Sequence, residues 1–490
     1  MTTLIGVDVG TSGTRALAVT AEGELVAEAN RPHDLLTPKP GWTEQDPAQW
    51  WGATKAVLAE VAAQVDDVAG LGLTGQMHGS VFLDAGGEVI RPALLWNDQR
   101  TAAECDEITE RVGPERLLEI AGNPALTGFQ APKIRWLAHA EPDNYARVAS
   151  VLLPKDYVRL MLTGEHATDA SDASGTLLLD VRTRDYSPDI LDALEIPREW
   201  LPKVYEGPQI TGGLRDDLAT EVGLRRGLPV AAGGGDNAAA AVGVGVVREG
   251  AVSTSIGTSG VLFAHRDAFA PDPSGRVHAF CHAVPDAWHL MAVALSSGGS
   301  LSWWRDRVGA DFDTLVAEAE AVPPGSEGLI FLPYLSGERT PHLDPHARGA
   351  FVGLSLHHGR GHMTRAVMEG VAFSMRDGLE IMRGLGTPDD DLRAVGGGAR
   401  SPLWMRLQAD VYGRPIRRTV IDEGPAYGAA LLGGVAAGVF ADVEEAGRRV
   451  RLRDEVTEPD AECARRYDEL YGIYTGLYPA LRGAMHALAA

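Results

Sequence analysis

Residues 231–241 read AAGGGDNAAAA, setting one carboxylate and one amide, Asp236 and Asn237, among glycines and alanines that offer no competing polar side chain. A carboxylate so placed is free to act on something other than the chain. The longer run GLPVAAGGGDNAAAAVGVGVV predicts a strand over 228–232, a glycine loop and a helix from about residue 238, with Asp236 or Asn237 at the helix N-cap. Capping alone accounts for an acid there. Proton transfer is compatible with it, because N–H groups at a helix start keep a carboxylate ionised and able to accept a proton. The glycines would let a substrate or a phosphate approach the backbone closely. The carboxyl is expected at its ordinary pKa of about 4.

A second polar cluster lies upstream. In TGQMHGS (74–80) Met77 and His78 follow a predicted strand, and in LLWNDQR (94–100) Trp96, Asn97 and Asp98 follow another and precede a helix. A turn histidine and an N-cap at Asp98 explain these residues singly. Together they supply an aromatic wall and several hydrogen-bonding groups without a strong positive charge, which suits a neutral polyol.

A third feature is an echo half a chain apart: VDVGTSGT at 7–14 and TSIGTSGV at 254–261. Each copy follows a β-branched run and leads into another, so each predicts a β-hairpin with Gly-Thr-Ser-Gly at its tip, and the pair suggests an internal duplication. Backbone N–H groups and hydroxyls at Gly10, Thr11 and Ser12, and at Gly257 and Thr258, could hold phosphate oxygens, although an ordinary turn explains either copy alone. Asp8 in the first copy is matched by Ser255 in the second. A carboxylate beside bound phosphate needs a cation between them, which makes Asp8 a candidate Mg²⁺ partner.

The elements that must position these groups are those of a mixed α/β chain. A length of 490 residues predicts two large domains rather than one. GLGLTG (70–75) fits the spacing of a dinucleotide fingerprint in the wrong context, since a helical pattern precedes it and strands follow it. Neither a P-loop lysine motif nor H-E-x-x-H is present. A net charge of −23 without a Lys/Arg block argues against nucleic acid, and no apolar run approaches the ~18 residues of a membrane span. The opening MTTLIGVDVG reads as a strand rather than a secretory signal, so the expected address is the cytoplasm. Cys105, Cys281 and Cys463 are scattered and predict no disulfide framework or zinc knuckle. Tyr467, Tyr471, Tyr474 and Tyr478 share one face of a helix that is expected to pack on the second domain.

In this order the motifs resemble the FGGY family of carbohydrate kinases, and within it the branch acting on xylulose. IGVDVGTSGTRA resembles the first phosphate motif, and GQMHG with ALLWNDQR the sugar-site segments. TGEHATDASDASGT resembles the mid-domain stretch, GGGDNAAAAVG the catalytic loop and SIGTSG the second phosphate motif. GERTPHLDPHARGAFVGL and MEGVAF match the second-domain signature, and AVGGGARSPLWMRLQADVYGRPI resembles the adenosine-binding segment. The resemblance implies an α/β fold of two ribonuclease H-like domains, as in actin, with a cleft between them. Residues 1–247 would carry the sugar site, first phosphate motif and catalytic acid, and residues 248–490 the second phosphate motif, adenosine site and C-terminal helices.

It further implies phosphorylation of D-xylulose by MgATP, with ATP and Mg²⁺ as cofactors. Asp236 would be the catalytic base, and Met77, His78, Trp96, Asn97, Asp98 and Asn237 would form the sugar pocket. Asp8 would hold Mg²⁺, and Gly397, Gly398 and Ser401 would lie near adenosine. A homodimer is compatible with this reading. Gluconate, ribulose or glycerol remain alternative substrates, and an actin-like ATPase without sugar kinase activity is the alternative from another class.

Overall fold

The computed structural model describes residues 1–489. Its first sheet runs, edge to edge, Ile210–Gly213, Pro229–Ala231, Asp67–Gly75, Thr2–Val9, Gly13–Thr20 and Leu25–Pro32, with the short Gly234–Gly235 strand also paired to Asp67–Gly75. The strand TTLIGVDV is central and almost wholly buried, as its aliphatic and β-branched residues require. It lies antiparallel to Gly13–Thr20 and parallel to Asp67–Gly75.

The second sheet repeats the plan. Its order is His278–Cys281, Trp288–Ala294, Gly260–Arg266, Ala251–Ile256, Asp391–Val395, Ile416–Thr419 and Leu452–Thr457. Ala251–Ile256 again pairs antiparallel to the strand after it and parallel to a distant one. Three antiparallel strands beside two parallel ones, twice over, is the ribonuclease H-like arrangement shared with actin. The two Gly-Thr-Ser-Gly tips close corresponding hairpins, with Val9 opposite Thr14 and Ile256 opposite Gly260.

Two small-residue helices tie the halves together. Asp236–Gly243 packs among second-domain residues such as Phe263 and Ala283, while Pro425–Ala436 (PAYGAALLGGVA) lies across the first sheet. The approach is at backbone distance: a Cβ at Gly72 would stand 1.8 Å from the Ala429 carbonyl oxygen, and one at Gly428 1.8 Å from that of Ala239. Alanine and glycine are therefore dictated by packing at the crossing of the two helices.

The C-terminal helix Ala461–Ala489 docks its tyrosines on the second domain, Tyr467 bonding Glu369, Tyr471 Asp377 and Tyr478 Asp344. Cys105 and Cys281 are buried, Cys463 is half-buried, and all three are free thiols. No helix among the described residues is long and apolar enough to cross a membrane.

Candidate active site

Asp236 opens the helix Asp236–Gly243, but the N-cap is Gly235, and neither Asp236 nor Asn237 caps the helix as the sequence suggests. The carboxylate instead accepts a 2.9 Å hydrogen bond from Asn237 Nδ2. Nor does its pKa keep the ordinary value. Burial pushes it up to about 6, against the bonds from Asn237 that pull it down. Desolvation among alanines thus outweighs the field of a short helix start.

A buried polar chain fixes the loop from behind. The Gly235 N–H donates to Ser171 Oγ at 3.2 Å, and that hydroxyl donates to Asp169. Asp169 pairs at 2.7 Å with Lys155 Nζ, which also meets Asp156 at 2.6 Å and Asp172 at 3.2 Å, all with fully buried side chains. These residues carry no function in the sequence reading, although Asp169, Ser171 and Asp172 lie inside the quoted TGEHATDASDASGT stretch.

Asp236 and Asn237 stand in the wall between two cavities. The first, of about 230 Å³, has Met77, His78, Trp96 and Phe129 on the first-domain side and Ser259, His278 and Arg339 on the other. Met77 Sδ accepts from Asn237 Nδ2 at 3.8 Å. His78, at φ 67°, places Nδ1 2.7 Å from the Gly175 carbonyl. A carbonyl only accepts, so Nδ1 carries the proton. Burial pulls the ring's pKa down to about 3, so it is neutral and Nε2 is left as an acceptor. Trp96 is 46% exposed and its indole N–H donates to Thr11 Oγ1 at 2.9 Å, linking the wall of the small cavity to the first hairpin tip.

The second cavity, of about 310 Å³, brings Asp8, Asp236 and Asp422 together with Ser255 and Gly396. Burial and the charges of Asp236 and Glu423 raise the pKa of Asp8, Arg15 partly opposing them, and Asp8 Oδ1 is buried without a hydrogen-bond partner. An orphaned carboxylate oxygen among further acids is an oxygen-donor set that a divalent cation would satisfy. Ile256 and Gly397, the chain neighbours of Ser255 and Gly396, line a third and larger cavity of about 620 Å³, with Gly257, Thr258, Gly398 and Ser401. Trp404 and Phe312 give it an aromatic side. The order is therefore a small cavity of mixed polar and apolar lining, Asp236, an acidic chamber and a large, partly aromatic pocket.

Several expected contacts are not made. Asp98 is fully buried and turned away, accepting from the Thr43 N–H at 2.7 Å and from the Arg100 guanidinium, and Thr101, not Asp98, precedes the next helix. Asn97 accepts from Thr43 Oγ1 at 2.7 Å and does not line the small cavity. Both residues brace the Trp96 loop. At the hairpin tips the Gly10 and Gly257 N–H groups close their own turns, onto Gly13 O at 3.0 Å and Ser259 O at 2.9 Å, so neither is a phosphate donor. Thr11 Oγ1 donates to Gln76 at 3.1 Å, while Gly10 and Ser12 face a groove shared with Asp8 and Arg15. Phe129, His278, Ser259 and Arg339 go unassigned in the sequence reading. Arg339 lies within the quoted GERTPH segment, whereas no local pattern marks Phe129 or His278.

Residues 3–243 match the N-terminal domain of the FGGY family of carbohydrate kinases and residues 252–437 its C-terminal domain. The chain is 43% identical over 481 residues to the xylulose kinase of Escherichia coli (strain K12), covering 97% of this chain and 99% of that one. A crystal structure of a "xyloylose kinase" from Brucella ovis superposes with TM-score 0.94 at 42% identity, covering 98% of this chain and 100% of that one. A gluconate kinase from Lactobacillus acidophilus also gives TM-score 0.94, at 26% identity and 98% coverage of each chain.

Proposed function

Because the chain belongs to the FGGY family of carbohydrate kinases, which use ATP to phosphorylate sugars, we propose that it phosphorylates D-xylulose at its terminal hydroxyl, with Asp236 as general base. One observation carries the reading: Asp236 lies in the wall shared by a sugar-sized cavity and an acidic chamber that leads toward a nucleotide-sized pocket. A sugar hydroxyl is a weak nucleophile. Asp236 accepts its proton as the oxygen attacks the γ-phosphorus in line, assistance typically worth ~10²–10⁴-fold.

Asn237 holds the carboxylate toward both cavities, and the Gly235–Ser171–Asp169–Lys155 chain keeps its loop from shifting. Met77 and His78 seat the sugar, His78 Nε2 accepting a hydroxyl proton. The second hairpin tip at Gly257 and Thr258 and the glycines at 397 and 398 wall the nucleotide pocket, and Ser401 caps the helix Pro402–Tyr412 at its rim. Asp8, with Asp236 and Asp422 near it, would hold Mg²⁺, which when bound neutralises charge on the transferred phosphoryl group. Water could use the same base, so closure of the two domains, both of which line the sugar cavity, would favour transfer to sugar over hydrolysis.

The test is ADP release by purified protein with MgATP over a panel of D-xylulose, D-ribulose, gluconate and glycerol. D-Xylulose is expected to give the highest kcat/KM. Gluconate or glycerol exceeding it tenfold would overturn the substrate, and ATP hydrolysis indifferent to every sugar would overturn the kinase activity.

A further inference from the structure

Arg339 is the one guanidinium lining the small cavity, and it forms no salt bridge there. Among the described residues no carboxylate oxygen comes within 4.0 Å of it. The adjacent Glu338 is occupied otherwise: Oε1 accepts the N–H groups of Leu295 at 2.9 Å and of Arg339 itself at 2.8 Å, and Oε2 accepts from Ser374 at 3.4 Å. Burial raises the Glu338 pKa to about 8 and lowers that of Arg339, the neighbouring carboxylate only partly opposing the second shift.

The side chain is nonetheless aimed. Asn123 Nδ2 donates to the carbonyls of Ala121 at 2.9 Å and Ala279 at 3.0 Å, which leaves its Oδ1 as an acceptor for His278 Nδ1 at 2.6 Å. His278 is thereby held in the Nδ1–H tautomer. Burial and the Arg339 charge push its pKa far down, so Nε2 is a lone pair, and it faces Arg339 Nη1 at 3.5 Å. A guanidinium has five N–H donors, and this relay orients it while using one.

Resting on the kinase reading above, we propose that Arg339 binds the end of the ketose remote from the transferred phosphoryl group, donating to the C2 carbonyl and the neighbouring hydroxyl. The cavity has Asp236, His78 and Asn237 on one side and Arg339 on the other, so the sugar supplies acceptors where the protein offers donors, and donors where it offers acceptors. Arg339 belongs to the second domain and Asp236 to the first. A sugar bonded to both makes domain closure conditional on its full length. Glycerol, two carbons shorter and without a ketone, cannot offer Arg339 the same pair of acceptors.

The experiment compares wild type with Arg339→Gln and Arg339→Lys. The dissociation constant of D-xylulose is measured by calorimetry in the presence of a non-hydrolysable ATP analogue, that of glycerol by competition, and that of the nucleotide analogue alone as a control for folding. Loss of a charge-assisted hydrogen bond is expected to weaken D-xylulose about ten- to hundredfold in Arg339→Gln, with partial recovery in Arg339→Lys. Glycerol and nucleotide should stay within about twofold, because neither carries the C2 carbonyl that Arg339 is proposed to bind. Unchanged D-xylulose affinity, or an equal loss for D-xylulose and glycerol, overturns the role of Arg339 alone. Wild-type protein that does not bind D-xylulose overturns the substrate reading and this inference with it.

Discussion

At the scale of single residues the site is governed by what burial does to charge. Asp236, the proposed base, is pushed by burial to about 6 and must lose its proton before it can act, so kcat/KM should fall as pH drops through 6, approaching tenfold per pH unit below it. A flat profile between pH 5 and 7 would mean that another group accepts the proton. His78 makes a second case. Its left-handed backbone is one that asparagine also tolerates. His78→Asn should therefore keep the fold yet raise the KM for the sugar about tenfold, leaving the KM for ATP unchanged. Asp236 is legible in the sequence because small residues isolate it, and Met77 and His78 because they follow a strand together. Asn97 and Asp98 mislead for the converse reason: spacing puts them beside Trp96, but Thr43 and Arg100, remote or unremarked, take up their polar atoms. Arg339, His278 and Phe129 come from three separate stretches, and only folding brings them to one cavity.

Secondary-structure elements show where glycine is required and where it is incidental. The helix Pro425–Ala436 rests on the first sheet with backbone against backbone, so Gly72→Ala must push it away. Overpacking of this kind typically costs about 1–3 kcal/mol. A fall in Tm of several degrees is expected, whereas Gly476→Ala, with nothing within 4 Å of its added methyl, should raise stability by up to about 1 kcal/mol through helix propensity. The docked C-terminal helix adds a pH dependence. Burial pushes Asp377, under Tyr471, up to about 7, and Glu338 up to about 8. Their contribution to stability is complete below about 4, the unfolded range, and is lost as pH rises through 7 to 8. Compared by urea denaturation, Asp377→Asn should thus gain stability relative to wild type as pH rises from 5 to 9. The two hairpins are readable from their shared Gly-Thr-Ser-Gly tips, and the tyrosine face of the tail from its spacing. That each half lends a helix to the other is not, since small-residue runs alone do not say which sheet they will cover.

For the whole molecule the duplicated fold bears on how the proposed base avoids wasting ATP. Both domains line the small cavity, and the large pocket opens on the second domain, so in the proposed mechanism neither half works alone. ATP turnover without sugar is expected to be at least a hundredfold slower than with D-xylulose, measurable as ADP release at saturating nucleotide. Whether the Asp236 carboxylate takes the proton from the attacking hydroxyl is decided by rapid-quench single-turnover phosphoryl transfer to D-xylulose in Asp236→Asn. The transfer rate should drop by two orders of magnitude or more while nucleotide affinity holds. A rate within a few-fold of wild type would contradict the mechanism.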